Sequence, residues 1–389
     1  MAAYVIRADM IIDGTRDVPD TGKEVVVADG LIRAIVPVGT TDAGDAEVVD
    51  LPGMALVPGL IDCHEHLGLI FGEDEMEQGL DAPEYYAMKS ALHMQQILRS
   101  GVTTVRTAGD PGDTGNLIKR ALRHGIITGP RLVSAHRLIA RTGGHGWVIG
   151  READGPWALR AAIRDEVRRG ADVIKIMVSG GAATVGSDVY APDMTDEEIV
   201  ACIDEAHRLG RRIMAHGHGG PGIAVAVEAG VDSIEHGLLL TEADYDLMKE
   251  RGTYLTATSA YGVKALEMPS IPEYVKEKLR DTIEQALESL RYAARIGLKV
   301  AVGTDSLHGK VWEELDILSK HGFTPLEALR AGTINGADLI GMADKIGTIE
   351  VGKVADIVAA PGNPLDDFSV LDMPAFVMKD GQIAHTSAS

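Results

Sequence analysis

Six side chains of the kinds that hold metals or carry protons fall within or just beyond short apolar runs: His64, His66, Lys175, His216, His236 and Asp305. His64 and His66, in IDCHEHLG, are two residues apart, so on a β-strand they project from one face and can share an ion. His216, in RRIMAHGHGG, and His236, in VDSIEHG, each end an apolar run and are followed directly by glycine. Their spacing of 20 residues suits one compact helix and two turns, which makes them neighbouring strand ends. Asp305, in VAVGTDS, stands just past another such run. Lys175 lies inside one, ADVIKIMVSGG. A buried ammonium without a partner is costly, so either a distant carboxylate sits beside it or desolvation lowers its pKa and leaves a neutral amine. Such an amine can react with carbon dioxide to give a carbamate, an anionic oxygen ligand able to bridge two metals.

The elements that must position these groups are legible in the hydropathy pattern. Apolar runs alternate with helical stretches, as in repeated βα units with a parallel sheet. Eight strands are expected: Leu60 to His66, Thr103 to Thr107, Arg131 to Ser134, Val173 to Val178, Arg212 to His216, Ser233 to His236, Thr253 to Thr256 and Val300 to Thr304. The helical stretches between them include YYAMKSALHMQQILRSG, DEEIVACIDEAHRLG and EYVKEKLRDTIEQALESLRYAARIG, and most close on glycine. This is the size and order of a (β/α)8 TIM barrel over residues 59–344, in which side chains at the C-terminal strand ends converge on one site. No GxGxxG follows the first strand, so a dinucleotide fold is unsupported. Residues 1–58 and 345–389 read instead as short strands with turn dipeptides, including the DG at Asp380 and Gly381. Neither end is long enough to be stable alone, so one composite β-sandwich domain is expected from both.

Composition narrows the function. With 37 Lys+Arg against 58 Asp+Glu the formal charge is −21, which repels nucleic acid and anionic membrane surfaces. The 45% hydrophobic content excludes wholesale disorder. Cys63 and Cys202 are the only cysteines and form no CxxC motif, as in a reduced, cytoplasmic setting. No apolar run approaches the length of a membrane span, and the start carries no secretory pattern.

The opening GMALVPGLIDCHEHL, the VIKIMVSGG lysine, the MAHGHGGPG and SIEHG histidines, the VGTD aspartate and the closing GTIEVGKVADIVA together resemble the amidohydrolase superfamily. They are most similar to its imidazolonepropionase-like and Xaa-Pro/Xaa-Arg dipeptidase branch, which includes ochratoxin-type amidases. The resemblance covers nearly the whole chain. It implies two divalent ions, usually zinc: His64, His66 and Asp305 would hold the more buried one, His216 and His236 the more exposed one, and carboxylated Lys175 would bridge them with a hydroxide. Asp305 would take the proton from the hydroxide and pass it to the leaving nitrogen. The family's histidine spacing selects His216 over His218 as ligand, which leaves His218 a pocket role. The substrate implied is a small amide: a dipeptide, an N-acyl amino acid or a relative of these. Further copies of the chain are the other expected partner.

Loops supply further candidates. The segment after strand three, SAHRLIARTGGHGWVIGREADG, is too long for a simple connection. It resembles the TGGH segment of the dipeptidase branch, making His145 a candidate for the scissile carbonyl or a terminal carboxylate. Arg137, Arg141 and Arg151 could grip a carboxylate bidentately, with Arg141 the best placed beside His145. After strand four, the Tyr190 hydroxyl could polarise the carbonyl, although the branch carries a tyrosine nearer the next helix start, where this sequence has Met194. The acidic loop GLIFGEDEMEQGLDAPE after strand one reads as a solvated charge run. Two other functions fit the residues less well: a mononuclear deaminase or cyclic-amide or lactone hydrolase, which has no need of a bridging lysine, and a catalytically silent scaffold, which has no need of the ligand set.

Overall fold

The computed structural model describes residues 3–387. Its strands are β1 (Tyr4–Ile11), β2 (Asp20–Thr21), β3 (Lys23–Ala28), β4 (Leu31–Pro37), β5 (Glu47–Pro58), β6 (Leu60–Glu65), β7 (Val102–Thr107), β8 (Arg131–Ser134), β9 (Ile139–Ala140), β10 (Arg151–Glu152), β11 (Val173–Met177), β12 (Arg212–Gly217), β13 (Ser233–His236), β14 (Tyr254–Ala257), β15 (Val300–Val302), β16 (Ile357–Pro361), β17 (Phe376–Lys379) and β18 (Gln382–Thr386). Its helices are α1 (Glu75–Gly79), α2 (Pro83–Arg99), α3 (Thr114–Arg123), α4 (Gly155–Arg169), α5 (Asp196–Arg208), α6 (Pro221–Glu228), α7 (Glu242–Arg251), α8 (Ser259–Glu267), α9 (Glu273–Ile296), α10 (Val311–Lys320), α11 (Pro325–Ala331) and α12 (Ile334–Leu339).

The eight expected central strands are β6, β7, β8 and β11 to β15, displaced by at most two residues at either end. All of their pairings are parallel, in two sheets ordered β6-β7-β8 and β10-β9-β11-β12-β13-β14-β15. The sheets meet at two seams. On one, the Asp172 amide donates to the Ser134 carbonyl at 2.8 Å; on the other, the Thr304 and Asp305 amides donate to the His64 carbonyl at 3.1 and 2.9 Å. The second seam is why β15 stops at Val302 and the chain turns inward at Thr304. Arg106 on β7 reaches Ser233 on β13 and Thr256 on β14, so the array curls around a common interior.

Helix ends follow local chemistry. Thr195, Thr241 and Thr324 each form a capping box with an acid three residues on, satisfying amides that the first turn leaves unpaired. α4, α7 and α9 end on Gly170, Gly252 and Gly297 in the left-handed region.

The two chain ends do meet. The strands run in the order β18-β17-β16-β5-β1-β3-β4, with β2 beside β1, so β16 from the C-terminal segment pairs antiparallel with β5 from the N-terminal one. This is one continuous eight-stranded sheet where a two-sheet sandwich was expected, because the long β5 serves both halves: Glu47 to Leu51, Ala55 and Leu56 pair with β1, and Met54 to Pro58 with β16. Ile6, Val25, Leu51, Ile357 and Phe376 form its own buried core. Among the described residues no helix is long and apolar enough to cross a membrane.

Candidate active site

The C-terminal ends of the central strands open into a cavity of about 80 Å³ lined by His64, His66, Lys175, His216, His236 and Asp305, with His145 and His218. The β12–β13 register brings two of these together. His216 sits opposite Glu235, and Gly217 opposite His236, which places the two histidines at adjoining strand ends. His64, His236 and Asp305 each bring a ligand atom to within 4.8 Å of the other two.

The imidazoles are held in defined orientations by their neighbours. His64 Nδ1 lies 2.7 Å from Glu235 Oε2; a carboxylate can only accept, so Nδ1 carries the hydrogen and Nε2, 3.5 Å from Asp305 Oδ1, presents a lone pair. His66 Nδ1 donates to the Gly109 carbonyl at 2.6 Å, leaving its Nε2 3.7 Å from the same Asp305 oxygen. His216 Nε2 donates to the Gly180 carbonyl at 3.1 Å, and its Nδ1 is therefore the free donor atom. His236 Nδ1 is bonded to Thr258 Oγ1 at 2.7 Å. Burial is the main force on their protonation: it lowers His64, His216 and His236 well below the usual imidazole value, and His66 to about 4. All four are neutral at pH 7, as a metal ligand must be.

Lys175 is 1% exposed, and its Nζ has no hydrogen-bond partner. Burial drives its pKa down to about 8, against the opposing pull of Glu235 and Asp305. Among the described residues no carboxylate pairs with it directly, so the ion-paired alternative for this lysine finds no support. Asp305 behaves in the opposite sense: burial first, and then the charge of Glu75, hold its carboxyl well above the ordinary range. His236, Asp305 and Ser306 all have positive φ, at 70°, 50° and 76°. Non-glycine residues seldom adopt this region, and such strain gathers at functional positions.

Tyr190 and Arg141 do not join the cavity. The Tyr190 amide closes a turn on Asp188 Oδ1 at 2.9 Å, and the residue is 53% exposed. Arg141 turns away to pair with Asp193 Oδ1 at 3.0 Å. Arg137 and Arg151 are likewise committed, to Glu166 at 2.7 Å and to Asp165 at 2.6 Å. His145 does line the cavity, with its Nδ1 2.8 Å from Thr184 Oγ1. The His218 ring lies 4.6 Å from that of His216, and its Nδ1 is buried without a partner.

Several participants escaped the sequence reading. Arg106, 1% exposed, donates to the Cys63 carbonyl at 2.6 Å and to both Glu235 oxygens at 3.0 and 3.1 Å, so Glu235 bridges an arginine to the His64 imidazole. An arginine inside the apolar VTTVRT run was the available signal, of the same kind as Lys175. Glu75, in the acidic loop read as solvated, faces the cavity and accepts from the Tyr261 hydroxyl at 2.5 Å. Burial raises its pKa.

The sequence profile of the amidohydrolase family matches residues 55–386. The chain belongs to the amidohydrolase family. Within it, the ochratoxinase of Aspergillus niger is 32% identical over 359 residues, covering 83% of this chain and 73% of that protein. The imidazolonepropionase of Rhodococcus jostii is 27% identical over 374 residues, covering 86% and 81% respectively. Among solved structures, a Xaa-Pro dipeptidase with methionine bound in its active site is 32% identical and superposes with a TM-score of 0.92, over 98% of this chain and 99% of that one. This amidohydrolase is an enzyme of the amide-hydrolysing kind, and its histidine and aspartate cluster is compatible with the family's use of metal ions.

Proposed function

We propose that this chain is a binuclear metal-dependent amidohydrolase that cleaves the amide bond of a dipeptide, an N-acyl amino acid or a related small molecule, on a closed (β/α)8 barrel. The observation that carries the reading is Lys175: a buried, unpartnered amine surrounded by neutral imidazoles. A lysine in that setting is costly as an ammonium and useful as a carbamate. His64, His66 and Asp305 would hold one ion, His216 and His236 a second, and Lys175, carboxylated by carbon dioxide, would supply oxygen to both. Zinc suits this set of nitrogen and carboxylate donors. Two such ions polarise a substrate carbonyl and lower the pKa of water.

The residues themselves do the rest. Asp305, beside His64 and His236 at the cavity, takes the proton of the attacking water and delivers it to the departing nitrogen. Amide hydrolysis depends on that delivery, because an amide anion is a poor leaving group. His145 and His218 lie on the cavity wall, where they would bind the substrate. The dipeptide class draws support from the similarity to a Xaa-Pro dipeptidase. A single-metal deaminase would leave Lys175 without a role.

Elemental analysis of protein purified without chelators should find about two divalent ions per chain, together with turnover of dipeptides or N-acyl amino acids. Saturation at one ion after loading with zinc and bicarbonate would defeat the binuclear reading. Turnover of lactones or cyclic ureas alone would defeat the substrate class.

A further inference from the structure

The wall of the cavity opposite the strands is not a regular element. The chain leaving β11 runs from Gly180 to Asp193 without helix or named strand, yet Ala182 and Ala183 line the cavity and Thr184 is 4% exposed. Backbone carbonyls in such a segment lack ladder partners and need other donors; the Thr184 carbonyl takes one from within, the Ser187 amide at 3.2 Å. Four consecutive ones find them on a single face of α9. The Tyr274 hydroxyl donates to the Ala183 carbonyl at 3.0 Å. One turn further on, Lys278 Nζ donates to the carbonyls of Gly181, Ala182 and Thr184 at 3.2, 3.1 and 2.8 Å. An ammonium has three N–H donors, and all three are spent on this loop.

The clasped segment in turn holds a cavity residue. Thr184 Oγ1 is bonded to His145 Nδ1 at 2.8 Å and receives the Gly146 amide at 3.2 Å. Gly181 lies flat against the same imidazole: a Cβ there would come within 2.2 Å of His145 Nε2. The path from α9 to the His145 ring therefore runs through hydrogen bonds and one close packing contact. Leu279, next to Lys278, lines the cavity directly, so α9 sets two sides of it.

We propose that Tyr274 and Lys278 are positioning residues for substrate binding: spaced i and i+4 on α9, they clamp residues 181–184 into the cavity wall and, through Thr184, fix the His145 imidazole. The proposal rests on the reading above only in taking this cavity as the substrate site. Neither residue touches the six candidate ligands, so the clamp acts on substrate affinity and leaves the chemical step intact.

The test uses the full-length, metal-loaded protein. Lys278→Met keeps the apolar stem and removes all three donors, Tyr274→Phe removes one, and Lys278→Arg restores donors. Hydrogen–deuterium exchange over residues 180–184 should accelerate by about tenfold in Lys278→Met, with β12 peptides unchanged and Lys278→Arg closer to wild type. For whichever N-acyl amino acid or dipeptide turns over best, KM should rise about tenfold while kcat stays within about threefold, and metal content should not change. Wild-type exchange at 180–184 in the Tyr274→Phe/Lys278→Met double variant would overturn the clamp, as would a fall in kcat with KM unmoved. If no amide is turned over, the substrate reading fails while the exchange measurement still decides the clamp. If Lys278→Met does not fold, Tyr274→Phe, which loses only a hydroxyl, decides it by the same two readouts.

Discussion

Glu235 has two tasks that one pair of variants can separate. It accepts from His64 Nδ1 at 2.7 Å and neutralises Arg106, whose Nη2 lies 3.0 and 3.1 Å from its two oxygens. Both residues of the pair are essentially without solvent contact, at 0% and 1% exposure. Glu235→Gln removes the counter-charge and strands a buried guanidinium, a change that costs about 3–5 kcal/mol. The metal-free protein should therefore unfold at distinctly lower temperature. Replacing both partners, as Arg106→Met with Glu235→Leu, removes the stranded charge, and most of that loss should be recovered, because well-packed apolar substitutes of a buried pair are often neutral. Metal affinity should not recover. The His64 ring has then lost the acceptor that fixes its tautomer, and losing such an outer partner typically weakens binding about 10- to 100-fold. Calorimetry of the metal-free protein reads the first effect, and chelator competition reads the second. If Glu235→Gln costs less than about 1 kcal/mol, far below the expected range, or if the double variant binds zinc as tightly as wild type, Glu235 does not position His64.

Lys175→Ala should lose metal and turnover together, and a short-chain carboxylic acid should partly restore both by supplying oxygens in place of the carbamate; wild-type activity with full metal content would make the lysine merely structural. Asp305→Asn should lower kcat by about 10²- to 10⁴-fold, the range for lost general acid–base catalysis, with a much smaller change in KM. His136 offers a pH test away from the site. Burial would lower its pKa, but hydrogen bonds and charge from Glu166 and Asp113 outweigh it and raise the value above 6.5, so its stabilising contribution is complete below that pH and is lost as pH climbs through the folded-state pKa. The stability gap between wild type and His136→Asn, measured by urea denaturation, should shrink from pH 6 towards pH 9; a constant gap would mean the imidazole is not charged in the folded state.

The strands and the six residues that line the cavity were legible because they are local facts. An apolar run of four to six residues closed by glycine reads the same way wherever it stands, and an ionisable residue inside or at the end of one is conspicuous. What stayed hidden depends on partners distant in sequence. Glu235 means little between Ile234 and His236 until Arg106, 129 residues earlier, is seen to reach it. Glu75 belongs to a charge run until the Tyr261 hydroxyl, 186 residues away, draws it inward. Tyr190 and Arg141 misled for the same reason: each is close to the right motif along the chain, but the first is exposed and Asp193 captures the second. α8 is hard to read from sequence because SAYGVKALE is short and has Gly262 in its interior, which counts against a helix on propensity alone. Its start is secured from outside, by Glu314 Oε2 accepting the Ala260 amide at 2.7 Å.

The strained backbone locates the functional demand independently of the ligand types. Among the described residues, only six that are not glycine have positive φ: Asp29, His136, His236, Asp305, Ser306 and Asp380. Asp29 and Asp380 each precede a glycine at a strand end, where tight turns explain them. His236, Asp305 and Ser306 sit together at the cavity, and each costs about 1–3 kcal/mol that the surrounding structure must offset. It does so with buried bonds: the Asp305 amide to the His64 carbonyl at 2.9 Å, the Ser306 amide to Glu65 Oε1 at 2.9 Å, and His236 Nδ1 to Thr258 Oγ1 at 2.7 Å. Relaxing those residues to ordinary dihedrals would swing His236 and Asp305 away from His64 and disperse the three-atom donor group. The histidine and aspartate therefore stand in a backbone region that residues other than glycine seldom adopt, at the point where three donor atoms converge.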